Sequence, residues 1–243
     1  MRIVTLAVVV VVAAAARAPT SAQELLLRAV PNSGLDLEQR SGGLGKEFIT
    51  ESTGSGAAFL DYDVDGLLDV VLVNGLAGDG PMSPAHPALM AGRTGAGHRL
   101  YRGGADGFVP APAAAGVREA VWGTGVTWGD VDNDGWPDLF IGAIGLDRLY
   151  RNNGDGTFSP WPGGVESPGW TAAATFTDWN ADGQLDLYVV RYVDLAASSL
   201  PPRADGRCFY AGVEAFCGPE GLVGQRDQLY LGLGDASFAE LAA

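Results

Sequence analysis

The sequence predicts an all-β chain built from repeated four-stranded antiparallel units. Three observations predict it. An acidic nonapeptide recurs three times, each copy is flanked by apolar runs too short for helices, and 36 glycines and 14 prolines punctuate the 243 residues. A chain that is 47% hydrophobic and this rich in turn-formers is globular, not disordered.

Residues 1–22 carry the pattern of a signal peptide. After Met1-Arg2 an uncharged stretch runs from Ile3 to Ala16, followed by small residues ending Thr20-Ser21-Ala22. A bilayer-spanning helix needs roughly 18 or more apolar residues, so the stretch suits a cleaved leader, with an uncleaved anchor as the alternative. Export to the periplasm, the cell surface or the medium is expected, with no membrane span after cleavage. Oxidising surroundings agree with Cys208 and Cys217, which lie nine apart with no C-x-x-C motif or histidine pair for zinc. A disulfide there would contribute about 2.5 to 3 kcal/mol on the chain-entropy view. Two unpaired thiols are the alternative.

The chain after the leader falls into a segment, 23–53, and three units. The nonapeptides are Asp61-Tyr62-Asp63-Val64-Asp65-Gly66-Leu67-Leu68-Asp69, Asp130-Val131-Asp132-Asn133-Asp134-Gly135-Trp136-Pro137-Asp138 and Asp178-Trp179-Asn180-Ala181-Asp182-Gly183-Gln184-Leu185-Asp186. Ala57 to Leu60, Val126 to Trp128 and Ala174 to Phe176 precede them as first strands. Val70 to Val73, Leu139 to Ile141 and Leu187 to Val190 follow as second strands, so each acidic loop closes a β-hairpin. Third strands begin at Arg99-Leu100-Tyr101, Arg148-Leu149-Tyr150 and Gln228-Leu229-Tyr230, and fourth strands at Phe108, Phe158 and Phe238. The units span 54–116, 117–165 and 166–243. Insertions between second and third strands lie near Gly75 to Gly97 and Asp194 to Gly224, the latter holding both cysteines. Val30-Pro31-Asn32-Ser33-Gly34-Leu35 matches the unit ends around Gly116-Val117 and Gly164-Val165, so segment 23–53 is expected to supply a ring-closing strand.

Positions 1, 3 and 5 of each loop can point inward together, glycine at position 6 permits a positive φ, and the position 7 carbonyl and position 9 carboxylate can complete an oxygen cage. The expected ligands are Asp61, Asp63, Asp65, Leu67 and Asp69; Asp130, Asp132, Asp134, Trp136 and Asp138; and Asp178, Asn180, Asp182, Gln184 and Asp186. Hard oxygens in this number suit Ca²⁺, up to three ions, better than Mg²⁺ or zinc. Loop three has Asn180 at position 3, one charge fewer, and is expected to bind more weakly. The residues at position 12, Leu72, Ile141 and Val189, exclude an EF-hand, which needs glutamate there.

These loops, with Gly54-Ser55-Gly56 or Gly123-Thr124-Gly125 upstream and Ile141-Gly142-Ala143 downstream, resemble FG-GAP (VCBS-type) repeats of integrin α-subunit propellers. Leu149-Tyr150-Arg151-Asn152-Asn153-Gly154-Asp155-Gly156-Thr157-Phe158 and the Cys208 to Cys217-Gly218-Pro219 insertion resemble secreted bacterial relatives of cartilage acidic protein, of the ASPIC/UnbV group. The resemblance covers Val30 to the C-terminus. It implies a seven-bladed β-propeller with calcium in its blade hairpins. Three blades cannot close a ring, so a partial propeller is expected, either cut from a longer reading frame or completed by other chains.

Composition and motifs narrow the function. Asp plus Glu number 29 against 15 Lys plus Arg, a surface that repels nucleic acid and anionic lipid. Lys46 is the only lysine, and H-E-x-x-H, G-x-S-x-G and Gly-rich phosphate loops are absent. The histidines are His86 and His98. A non-catalytic binding or adhesion scaffold for a protein or glycan is therefore expected, the alternative being the propeller portion of a secreted enzyme. All six tryptophans fall between Trp122 and Trp179. Trp128 and its neighbours are expected in the core, and Trp136 and Trp161 at the surface.

Overall fold

A computed structural model describes residues 30–42, 48–52, 54–76, 97–119, 121–195, 200, 208–219 and 221–241. The expected leader, His86, Lys46 and most of the first insertion lie outside the described residues.

Each acidic loop joins two antiparallel strands, and a second hairpin completes the unit. The first blade is β1 (Ala57–Leu60), β2 (Asp69–Leu72), β3 (Arg99–Gly104) and β4 (Gly107–Pro110), hydrogen-bonded in that order. The second is β5 (Trp122–Gly129), β6 (Asp138–Leu146), β7 (Arg148–Asn152) and β8 (Phe158–Trp161). The third is β9 (Pro168–Thr177), β10 (Asp186–Arg191), β13 (Gln228–Gly232) and β14 (Phe238–Glu240). Between β10 and β13 a small hairpin, β11 (Phe209–Tyr210) and β12 (Val213–Glu214), carries the Cys208–Cys217 disulfide, whose Cα atoms are 5.3 Å apart. The architecture is that of a partial β-propeller.

The core sits between blades, as propeller packing requires. Residues alternate along β6: Leu139 and Ile141 pack with Leu60, Tyr62, Val71 and Leu100 of the first blade, while Phe140 packs with Leu187, Val189, Tyr230 and Phe238 of the third. The middle blade is thus buried on both faces, which explains why its second strand is a continuous apolar run. A third cluster, built on Phe48, Leu76, Trp122, Ile144 and Trp170, contains residues from the strand ends remote from the acidic loops.

Two strands run farther than the apolar runs suggested. The end of β6 pairs with the start of β9, Ile144 opposite Trp170 and Leu146 opposite Pro168, so blades two and three share an eight-stranded sheet. Glycine permits this close approach: a Cβ on Gly142 would fall 2.4 Å from Thr171 Cγ2.

Segment 30–42 forms no strand beyond a single bridge at Gly42, whose N–H donates to the Leu76 carbonyl at 2.7 Å. Its likeness to the unit ends is structural. Gly34, Gly116 and Gly164 have φ of 86°, 87° and 86°, and each lies against the backbone of the following outer strand at Phe108, Phe158 and Phe238. A Cβ on Gly34 would stand 1.8 Å from the Phe108 carbonyl oxygen, so the lead-in to every blade needs glycine for both its conformation and its contact.

Candidate metal centre

The three loops share one hydrogen-bond plan. At position 1, Asp61, Asp130 and Asp178 each accept from two backbone N–H groups of their own loop, those of positions 5 and 6, at 2.8 to 3.1 Å. At position 5, Asp65, Asp134 and Asp182 accept from the N–H of position 7, that is Leu67, Trp136 and Gln184, at 2.8 to 3.0 Å. Glycine at position 6 has φ of 86°, 91° and 86°. These bonds fold the chain so tightly that position 4 is also left-handed: Val64, Asn133 and Ala181 have φ of 53°, 57° and 60°. Asparagine tolerates that region, whereas a β-branched residue is strained there by about 1 to 2 kcal/mol. Val64 is exposed, so Val64→Asn should stabilise the metal-free protein by about 1 kcal/mol in a denaturant titration. No gain would mean that the strain is not stored there.

Position 9 does a different job. Asp69, Asp138 and Asp186 open the second strand and are fully buried. One oxygen of each accepts from the loop N–H at position 2, from Tyr62 at 2.9 Å, Val131 at 3.0 Å and Trp179 at 3.2 Å. The other accepts from the third strand, from Gly103 at 2.7 Å, Asn152 at 2.7 Å and Gly232 at 3.0 Å. The ninth acid therefore ties loop, second strand and third strand together. Burial outweighs these bonds and pushes Asp138 up to about 7, and it raises Asp69 as well.

Oxygens converge in two of the three loops. Single carboxylate oxygens of Asp61, Asp63 and Asp65 lie within 4.8 Å of one another, as do those of Asp130, Asp132 and Asp138. Asp63 Oδ1 is buried without a hydrogen-bond partner, and burial together with Asp134 raises Asp132. An orphaned carboxylate oxygen among converging acids is the environment a hard cation relieves. Loop three does not gather its acids in this way: Asn180 instead donates from Nδ2 to Asp182 Oδ2 at 2.8 Å, and Asp178, Asn180 and Asp182 are all exposed.

The sequence pattern did not disclose the cations beside the loops. Arg102, next after Tyr101 on β3, places Nε 2.8 Å from Asp63 Oδ2 and Nη2 2.8 Å from Asp65 Oδ2. Arg151, next after Tyr150 on β7, places Nη2 2.7 Å from Asp132 Oδ2 and 3.4 Å from Asp134 Oδ2. The signal was present in the repeated Leu-Tyr-Arg at 100–102 and 149–151, broken in the third unit by Leu231. Asparagines link the loops in series: Asn152 donates to the Tyr62 carbonyl at 2.8 Å, and Asn133 to Gln184 Oε1 at 3.0 Å.

The tryptophans divide differently from expectation. Trp122 and Trp170 are buried, but Trp128 is 45% exposed, because it stands at the loop end of β5 beyond the packed middle of the blade. Trp136 and Trp161, expected at the surface, are half-buried, Trp136 against Gly154 and Trp161 with Arg151 5.7 Å from its ring centre. Trp179 is 56% exposed, whereas the equivalent Tyr62 and Val131 are covered by the core containing the next blade's Phe158 or Phe238. His98 is buried and held neutral, with its pKa lowered to about 4 by desolvation and its Nδ1 accepting from the Asn74 N–H.

Residues 130–189 match the family model of an FG-GAP-like repeat, from the first residue of loop two to the middle of β10. Loops two and three and the blade junction all fall within the match. Among curated proteins none matches the chain. The repeat and the curled antiparallel sheets support an FG-GAP, β-propeller-like family. The disulfide and the repeat together fit an extracellular domain, and no helix of the described residues is long and apolar enough to cross a membrane.

Proposed function

We propose that this chain is the calcium-holding portion of an exported FG-GAP propeller that acts as a binding or adhesion scaffold. The observation that carries the reading is the common hydrogen-bond plan of three loops, two of which bring three carboxylates to within 4.8 Å. Its acids are hard oxygen donors, and among the described residues no histidine or free cysteine joins either group, which favours Ca²⁺ over softer ions. Bound there, Ca²⁺ would supply charge neutralisation and cross-link the hairpins. The chain's own residues preorganise that role: backbone N–H groups aim the position 1 and position 5 carboxylates, and the ninth acid fixes the loop to the sheet. A structural ion of this kind tolerates weak binding where extracellular calcium is abundant, roughly millimolar. The acids are engaged in loop bonds and ion pairs and His98 is a buried neutral acceptor, which supports a non-catalytic reading. The partner is proposed to be an extracellular protein or glycan.

Thermal unfolding with and without calcium tests the reading. Chelator should lower the melting temperature by about 5 to 10 °C, and added calcium should restore it. A melting temperature indifferent to both would remove calcium from the proposal.

A further inference from the structure

Arg102 and Arg151 occupy the same place in two blades, and their loops are the two that carry aspartate at position 3. In each, the guanidinium bridges the position 3 and position 5 carboxylates. Where the arginine is replaced by Leu231, position 3 is Asn180, and its amide contacts the same oxygen of position 5, Asp182 Oδ2, that the guanidinium contacts in Asp65 and Asp134. Counting the strand residue with the loop, four acids less one arginine in blades one and two and three acids with none in blade three give the same formal charge of −3. The apparent deficit of loop three, which on sequence alone makes it the weakest site, therefore vanishes once the third strand is counted.

We propose that Arg102 and Arg151 are built-in competitor cations: each holds its loop together without metal and must leave two carboxylates for calcium to bind there, whereas among the described residues blade three has no such occupant. The inference rests on the calcium reading above and adds its regulation. The arginines can withdraw, because the Arg102 and Arg151 side chains are 50% and 39% exposed. Arg151 also has Trp161 within cation–π reach at 5.7 Å, a resting place away from the loop. The guanidinium is a permanent cation, so the competitor keeps its charge across the physiological pH range.

The test is calcium titration calorimetry on the whole chain, with Arg102→Leu and Arg151→Leu singly and together, each copying the residue found in blade three. Each single change should tighten one calcium site by about tenfold or more, because two acceptors are freed and a like charge is removed. In chelator the same variants should melt below the wild type, since nothing then offsets the carboxylates, so the span between chelator and calcium widens. Leu231→Arg should weaken the blade-three site. Arg151→Lys, which keeps the charge but not the fork, covers the case in which a leucine variant misfolds; it should bind calcium more tightly than the wild type by a smaller factor. If the wild type binds and no arginine variant changes its affinity, the competition is overturned while the calcium reading stands. If the wild type does not bind but the arginine variants do, the competition is upheld as complete exclusion and the native calcium role falls. If none binds, both fall.

Discussion

Arg191→Met is expected to destabilise the protein by about 3 to 5 kcal/mol at pH 7.5. Arg191 ends β10 with its side chain fully buried, its Nη2 2.8 Å from the equally buried Asp147 Oδ2. This is a close ion pair rather than an aligned hydrogen bond; the aligned bonds of Asp147 come instead from the Ala143 N–H at 2.8 Å and the Thr171 hydroxyl at 2.7 Å. Asp147 sits in the β6–β7 turn and Thr171 on β9, so the group ties blade two to blade three. Methionine would fill much of the arginine stem but leave a carboxylate buried without a counter-charge. Desolvation already raises Asp147 to about 6, against the pull of Arg191 in the other direction.

That raised value fixes the sign of the pH dependence. A carboxyl whose folded pKa lies above its unfolded value of 3.8 favours folding most when both states are protonated, below about pH 4. Its contribution declines as pH rises to about 6 and is constant above. The Arg191→Met penalty should therefore be large at pH 7.5 and shrink at pH 4, where Asp147 is neutral without help, toward the loss of packing and of the bonds Arg191 donates to Gln228 Oε1 and the Thr171 hydroxyl. Adding Asp147→Asn should recover at least half of the loss at pH 7.5, because no unpaired charge remains. Urea titrations of the wild type, Arg191→Met and the double variant at both pH values check this. A penalty independent of pH, or a double variant no better than the single one, would show that Arg191 acts through packing.

The repeat made much of this fold legible before any coordinates. Short apolar runs on either side of Asp61, Asp130 and Asp178 located the first and second strands, because a tight acidic loop leaves room for nothing but a hairpin. The tyrosine-to-phenylalanine spacing located the third and fourth. What was hidden depended on contacts between distant residues. Arg102 lies more than thirty positions from Asp65 and Arg151 seventeen from Asp134, separations set by insertions of unequal length, so no local pattern joins them. Asp147 and Arg191 occur once each and leave no repeat to notice. Trp128 misled because an apolar strand was equated with a buried one, although only Gly129 of its last two residues is buried.

The nine-residue pattern also presented its acids as equivalent, and the geometry separates them. Asp138→Ala should cost about 2 to 6 kcal/mol even in chelator, because the buried N–H groups of Val131 and Asn152 would each lose their acceptor at roughly 1 to 3 kcal/mol apiece. Asp130→Ala removes as many hydrogen bonds, but the N–H groups of Asp134 and Gly135 belong to exposed residues that water can reach, so its cost in chelator should stay below about 1.5 kcal/mol. In calcium the order changes in kind. Asp130→Ala should abolish the gain proposed for the ion at loop two, while Asp138→Ala fails with or without it. Denaturant titrations of both variants under both conditions distinguish an acid that builds the hairpin from one that is held ready for a cation. Equal losses in chelator would mean that the ninth acid has no special structural role. Asp69, which accepts from Tyr62 and Gly103 in the same way, should follow Asp138, whereas Asp186→Ala should cost less, because one of its donors, the Trp179 N–H, belongs to an exposed residue.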